Sequence, residues 1–235
     1  MTEPVTAIFF SCRRLNLLKR TFDAFMKINT YPIFEYIIVN DSGNVAIHEQ
    51  LKREYPDVTL VLNKENVGLM KSIDLGYSHV RTNYFFHSED DWMMTEDGAI
   101  KQSLAIMLSH PEIEEVWLQP ILNKHPTDPQ IYESDGVQYR LASEDVYKGF
   151  EGYDEGWHGF TTACSLKRMN DYLRVAPYAN IKYTGSWKSA TIWHREYAIG
   201  LEYHKLGYRT AVLLDKNYAV NIGIGQSEYK TGNEK

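Results

Sequence analysis

The sequence has little cysteine, no excess of positive charge and no long apolar run. Its 235 residues include two cysteines, and 25 Lys and Arg stand against 31 Asp and Glu, for a net charge of −6. Without a basic excess, the chain is not expected to bind nucleic acid through a positive field. No stretch approaches the roughly 20 consecutive apolar residues that a membrane helix needs. Binding of an anionic ligand would therefore depend on local cations or on a metal ion.

The first residues and the cysteines bear on the compartment. The opening segment, MTEPVTAIFF, has no basic residues before its short apolar run, so we expect a soluble, unprocessed chain with no integral membrane segment. Cys12 and Cys164 lie far apart and form no zinc-binding pattern, which favours two free thiols over a disulfide. Together these features predict a cytoplasmic protein.

Short β-rich runs alternate with amphipathic helices through the first half of the chain. The strand VTAIFF precedes the helix LNLLKRTFDAFMKI, and the strands FEYIIVN, VTLVLN and NYFFHS follow, with VGLMKSIDLGYSHV as a second helix. A further helix, EDGAIKQSLAIMLSH, is expected to begin after Thr95 as its N-cap. This order predicts an α/β fold with a mostly parallel central sheet and helices on both faces.

Polar residues follow three of these strands directly. Ser11 and Arg13 follow the first, Asp41 the second, and Glu89, Asp90 and Asp91 the fourth. Ligands of open α/β sheets bind beyond the carboxyl ends of the strands, so we expect these side chains to share one rim. The alternative for the three acids is the negatively charged first turn of the next helix.

The second half has a different order. EVWLQPIL is predicted to be a strand and is followed by a long stretch rich in Pro, Gly, Tyr and acids, which we interpret as loop. The segment ATIWHREYAIGLEYHKLG is a predicted helix with Trp193, Tyr197 and Leu201 on one stripe, ended by Gly207. YRTAVLL is a final strand.

Five segments in this order resemble a known family. They are VTAIFFSCRR, YPIFEYIIVNDSG, Asn66 and Gly68 before a helix with Gly76, SEDDW at the position of a D-x-D motif, and HREYAIGLEYHKLGYRTAVL. Together they resemble the family 2 glycosyltransferases of the GT-A, Rossmann-like fold. The resemblance implies a single GT-A domain over residues 1–235, with a nucleotide-sugar-binding half (1–95) and an acceptor-binding half (96–235). The segment from about Pro120 to Gly156 has no counterpart in the family pattern.

The resemblance implies a hexosyltransferase of glycan biosynthesis that uses a nucleotide-diphosphate sugar donor and a glycan or other hydroxyl acceptor. Its leaving diphosphate needs a cation, and hard oxygen ligands suit Mn²⁺ or Mg²⁺. Asp91 is then the metal ligand, and Glu89 contacts the ribose or metal-bound water, although Glu89 and Asp90 can exchange places in the alignment. The other donor-binding residues that the resemblance implies are Ser11, Arg13, Asp41, Asn66 and Lys71.

Glu196 is the residue expected to act as catalytic base. An ionised glutamate within about 3 Å of the acceptor hydroxyl can take its proton, and a base opposite the leaving group implies inversion. Asp154 and Glu155, in the segment GYDEGWHGF, are rival bases, and a plain surface acid on the helix is the alternative for Glu196. Trp92 and Trp157 are candidates for stacking on a sugar, or simply for the core.

Two other functions remain open from the sequence. A sugar-phosphate nucleotidyltransferase uses a similar sheet, but normally has a Gly-rich loop after the first strand, where SCRRLN contains no glycine. A nucleotide- or sugar-binding module without turnover is the second alternative. It is favoured by three departures from the family pattern: Asn40 for an acid, Ile73-Asp74 for Arg-Asn, and Asn221 for a histidine.

Overall fold

The computed structural model describes residues 2–118, 127–143, 157–183 and 192–224. Strands and helices alternate through the first half, as the hydrophobic pattern predicts. The strands are β1 (Val5–Ser11), β2 (Ile33–Asn40), β3 (Thr59–Leu62), β4 (Tyr84–Glu89), β5 (Trp92–Met94), β6 (Ile113–Trp117), β7 (Tyr132–Ser134), β8 (Val137–Leu141), β9 (Ser165–Arg168), β10 (Arg209–Leu213) and β11 (Ala219–Asn221). The helices are α1 (Leu15–Ile28), α2 (Val45–Glu54), α3 (Leu69–Tyr77), α4 (Ala99–Ser109), α5 (Met169–Val175) and α6 (Ile192–Lys205), with a 3₁₀ turn at Tyr178–Asn180.

Nine strands form one sheet in the order β3-β2-β1-β4-β9-β6-β10-β8-β7. The first four in this order are parallel, and β6 and β10 form another parallel pair. β9 and β8 each pair antiparallel with both of their neighbours, so they run against the direction of the other strands. The expected mostly parallel sheet is confirmed.

Side chains of β1 alternate between two cores on opposite faces of the sheet. Ala7 and Phe9 join the cluster that includes α1 and α4 residues, whereas Ile8 and Phe10 join the cluster that includes α3 and α6 residues. A strand that is buried on both faces reads as an uninterrupted apolar run, which is what VTAIFF is. Helices therefore cover both faces, as expected.

Several local predictions are wrong or incomplete. Helix α4 begins after Gly98, which has φ +95°, so Thr95 is not its N-cap; the Thr95 hydroxyl instead donates to the carbonyl of Asn217 (2.8 Å). Helix α2, capped by Asn44, has no counterpart in the prediction. Part of the stretch interpreted as loop forms the β7–β8 hairpin around Asp135 and Gly136, both at positive φ. No helix of the described ranges is long and apolar enough to cross a membrane.

Candidate functional site

The three polar segments predicted to share a rim do meet there. β1 lies between β2 and β4, and the register pairs Ser11 with Asn40 and Phe10 with Glu89. The parallel direction of the three strands brings their carboxyl ends to the same edge of the sheet. The Asp41 amide also donates to the Ser11 carbonyl (2.9 Å), which joins the first two segments directly.

Asp41 holds the connection from β3 to α3. Its carboxylate accepts from Asn63 Nδ2 at 2.7 Å and from the backbone amides of Val67 (2.9 Å) and Gly68 (3.0 Å). Burial raises the pKa of Asp41, and these three hydrogen bonds oppose the rise. These three hydrogen bonds tie the loop that carries Asn66 to the end of β2.

Three of the remaining predicted donor-site residues are exposed. Arg13 has a left-handed backbone (φ 64°) and points into solvent. Asn66 donates to Cys12 Sγ (3.2 Å), and the Cys12 thiol in turn donates to the Asp41 carbonyl (3.5 Å). Lys71 lies in the first turn of α3 and lines an open groove together with Val67 and Leu75. The structure therefore puts Asn66 next to Asp41.

Arg14 enters the acid cluster, which consists of Glu89, Asp90 and Asp91. Its guanidinium forms a bidentate ion pair with Asp90, and its Nη1 lies 3.1 Å from Asp91 Oδ2. Burial lowers the pKa of Arg14, but the charges of Asp90 and Asp91 outweigh that effect and raise it. Burial also raises the pKa of Asp90 to about 6 despite Arg14. One arginine thus partly compensates three acids.

The C-terminal strand β11 lies over Asp91. β11 pairs antiparallel with β5, so that Asn221 faces Trp92, and the Ile222 amide donates to the Asp91 carbonyl (2.8 Å). Gly223 approaches so closely that an added Cβ would lie 2.5 Å from Asp91 Oδ2. The Asn221 side chain accepts from the Gly223 amide (2.9 Å), which shapes this turn. Asn221, which stands where the family pattern has a histidine, therefore borders the acid cluster.

Glu196, on α6, lies near Glu89. Burial raises the pKa of Glu89 well above its ordinary value, and the carboxylates of Asp91 and Glu196 raise it further. Burial also raises the pKa of Glu196, while hydrogen bonds from Thr162 and Thr161 oppose the rise. Buried carboxylates with raised pKa values, grouped at one end of a sheet, are characteristic of functional sites. The expected base and the expected donor-binding acids are thus brought together.

The other predicted residues divide between the core and the undescribed segments. Trp157 is buried against Trp117, with 5.1 Å between ring centroids, and Trp92 packs against the main core. His158 stacks on His204. The rival bases Asp154 and Glu155 lie outside the described residues. Cys12 and Cys164 are free thiols.

Within the described residues, no three His, Cys, Asp or Glu side chains are grouped to bind a metal by themselves. A site completed by substrate phosphates needs only one or two protein carboxylates. Asp91 fits that need, because its buried Oδ1 accepts no hydrogen bond from the described part of the protein, whereas Asp90 is engaged by Arg14 on both oxygens. The residues present therefore fit a divalent ion on Asp91.

Sequence reasoning missed Arg14 and the pair Thr161 and Thr162. Arg14 could have been recognised from helical spacing, because it precedes Leu18 and Thr21 on the buried stripe of α1 whereas Arg13 does not. Thr21 Oγ1 also reaches this site, donating to the Asp90 carbonyl (2.7 Å). The two threonines carry no motif, because their role depends on the antiparallel placement of β9.

The sheet order and the acidic rim define a protein of the GT-A fold class. S. aureus TarS superposes with a TM-score of 0.57 at 14% identity, over 93% of this chain and 36% of that one. TarS residues 1–349 in complex with UDP superpose with a TM-score of 0.57 at 14% identity, over 93% of this chain and 60% of that one. PcManGT, a mannosyltransferase from Pyrobaculum calidifontis in complex with GDP-Man and Mn²⁺, superposes with a TM-score of 0.57 at 15% identity, over 94% of this chain and 57% of that one. The chain thus spans about a third to three fifths of these solved proteins, and the likeness shows the shared fold.

One family model matches the sequence of this chain. The model described as glycosyl transferase family 2 matches residues 6–148, more than half of the chain. The protein belongs to glycosyl transferase family 2. A search of curated proteins gives no match.

Proposed function

We propose that this protein transfers a hexose from a nucleoside diphosphate sugar to a hydroxyl group of a glycan or other acceptor. The transfer inverts the configuration at the anomeric carbon. The observation that carries the proposal is the meeting of the acid cluster with Glu196 at one edge of the sheet. The family membership supports transfer over the nucleotidyltransferase alternative. The complexes of the solved neighbours with UDP and with GDP-Man and Mn²⁺ support a nucleoside diphosphate donor and a divalent metal.

In this proposal the residues divide between donor binding and proton transfer. Asp41, Asn66 and Ser11 lie where the nucleoside would sit, and Glu89 where its ribose would sit. Asp91 Oδ1 would hold Mn²⁺ or Mg²⁺, which stabilises the negative charge that develops on the diphosphate. Arg13 and Lys71, exposed near the rim, would approach the phosphates.

Glu196 takes the acceptor's proton in the proposed reaction. The acceptor oxygen forms a bond to the anomeric carbon while the bond from that carbon to the diphosphate oxygen breaks, and the hydroxyl proton passes to Glu196. Its raised pKa makes Glu196 a better proton acceptor than an ordinary glutamate once it is ionised. A single displacement of this kind inverts the configuration.

Thermal unfolding tests the donor site. UDP, GDP, dTDP and CMP are each added with and without Mn²⁺, and a nucleotide at about 100 times its Kd should stabilise the fold by about 2.7 kcal/mol, or roughly 5–11 °C. We expect one nucleoside diphosphate to give this shift only with metal. Asp91→Asn should abolish the shift, whereas Glu96→Gln, which changes an exposed acid nearby, should keep it. No shift with any nucleotide would contradict the proposal.

Turnover separates an enzyme from a binding module. With the nucleotide identified, Glu196→Gln should lose sugar transfer and keep the metal-dependent shift. A wild-type protein that binds the nucleotide but transfers no sugar from any donor carrying it would instead support the module without turnover.

A further inference from the structure

Glu196 is anchored through one of its two carboxylate oxygens. Oε1 accepts from the Thr162 amide (2.6 Å), from Thr162 Oγ1 (2.8 Å) and from Thr161 Oγ1 (3.3 Å). Every hydrogen bond to Glu196 in the described part of the protein ends on Oε1. The arrangement fixes the carboxylate and leaves Oε2 for a proton from another molecule.

The Thr161–Thr162 turn is itself held from the sheet. Glu115 and Lys167 face each other across the antiparallel pair of β6 and β9, and form an ion pair that is almost fully buried. Glu115 accepts from the Thr161 amide (2.9 Å), and Lys167 donates to the Thr161 carbonyl (2.9 Å). A buried ion pair is costly to desolvate, and here both of its members also hydrogen-bond the backbone of Thr161.

His87 holds the other side of the turn. Its Nε2 lies 2.7 Å from the Thr162 carbonyl, and its Nδ1 lies 2.8 Å from the Tyr77 hydroxyl. Burial lowers the pKa of His87 to about 3, so the ring is neutral. A neutral ring that donates from Nε2 to a carbonyl must accept at Nδ1. His87 is on β4, two residues before Glu89, so Thr162 is fixed relative to the strand that carries the donor-binding acids.

We infer that Thr162 is a positioning residue for Glu196, aiming its Oε2 at the acceptor hydroxyl. This inference rests on the proposed function. Thr162 holds Glu196 by its backbone amide and its hydroxyl at once, while its carbonyl is tied to His87. Loss of the Thr162 hydroxyl would keep the hydrogen bond from the Thr162 backbone amide to Glu196 but leave the Glu196 carboxylate free to rotate. The chemical step should therefore suffer while the donor site stays intact.

Thr162→Val tests the inference, because valine keeps the shape and removes the hydroxyl. We expect kcat to fall about 10- to 100-fold, as for other small misplacements of a reacting group, with KM for the donor unchanged. Thr162→Ser, which restores the hydroxyl, should recover most of kcat. A kcat that is unchanged in Thr162→Val, in a protein whose wild type transfers sugar, would overturn the inference while the proposed function stands.

Thr210→Val is the matched control. Thr210 is also buried, and its Oγ1 donates to a buried carboxylate, that of Glu114, at 2.8 Å. Both valine variants should lower the unfolding temperature by a similar few degrees, but Thr210→Val should keep kcat. Equal losses of kcat in both variants would show a general effect on the fold and overturn the positioning role. Wild-type protein without transfer activity would instead count against the proposed function itself.

Discussion

Arg14 is the main counter-charge of the acid cluster, and its neighbour Arg13 provides a control of the same type. The Arg14 side chain is 16% exposed and pairs with Asp90, which is 1% exposed, whereas Arg13 is in solvent. Arg14→Gln should leave buried carboxylates uncompensated and cost about 3–5 kcal/mol, or roughly 6–20 °C in unfolding temperature. Arg13→Gln should change the stability by less than about 0.5 kcal/mol. Thermal or urea unfolding of both variants measures the difference.

A second substitution separates charge from packing in that result. Asp90→Asn in the Arg14→Gln background removes a buried charge that has lost its partner, so part of the lost stability should return. If the double variant is no more stable than Arg14→Gln, the cost comes from lost contacts of the arginine stem, and the charge argument is wrong.

At the residue scale, position at a strand end was predictable and side-chain direction was not. Ser11, Asp41 and Glu89 follow apolar runs, and the rule for parallel sheets is enough to put them on one rim. The two adjacent arginines look equivalent as residue types, and only the buried stripe of α1 tells them apart. Thr162 could not be found from the sequence, because its contacts with Glu196 and His87 come from distant segments.

At the scale of elements, long periodic segments were predictable and most short strands were not; the four-residue β3 is an exception, because it lies in the apolar run VTLVLN. α1, α3 and β1 each have enough apolar positions to set a period. β5, β9 and β11 have three or four residues each, too few to set one. The β7–β8 hairpin did carry a local signal, because Asp-Gly is typical of a two-residue turn with positive φ. The hairpin was missed because it lies in a stretch rich in Pro, Gly, Tyr and acids, which was interpreted as loop.

The contact between β11 and the acid cluster leads to a prediction for Gly223. Gly223→Ala would push its Cβ into Asp91, so we expect metal-dependent nucleotide binding to weaken about 10- to 100-fold, as when the support of a metal ligand is disturbed. Gly207→Ala is the control, because its φ of +84° strains an alanine while no atom lies within 4 Å of the added Cβ. Calorimetric titration of each variant with nucleotide and Mn²⁺ provides the comparison. Unaltered affinity in Gly223→Ala would show that β11 does not shape the site.

At the scale of the whole molecule, the two thiols report on two different regions, the core and the rim. Cys164 is fully buried just before β9, and burial raises the pKa of its thiol, so its labelling requires the surrounding sheet to open. Cys12 is only partly buried and lies at the rim, with its thiol bonded to the Asp41 carbonyl. One reagent thus probes the core through Cys164 and the proposed nucleoside site through Cys12.

Thiol labelling should therefore respond to ligand in two ways. In Cys12→Ser, which leaves Cys164 to react, nucleotide and Mn²⁺ at about 100 times the Kd should slow labelling about 100-fold, because binding lowers the population of the open state by that factor. In Cys164→Ala, the ligand should block Cys12 directly, in proportion to occupancy, even under conditions where the sheet does not open. Slower labelling of Cys164 without protection of Cys12 would place the nucleotide away from the rim of β1 and β2. Protection of Cys12 alone would mean that labelling of Cys164 proceeds through a local opening that does not disturb the donor site.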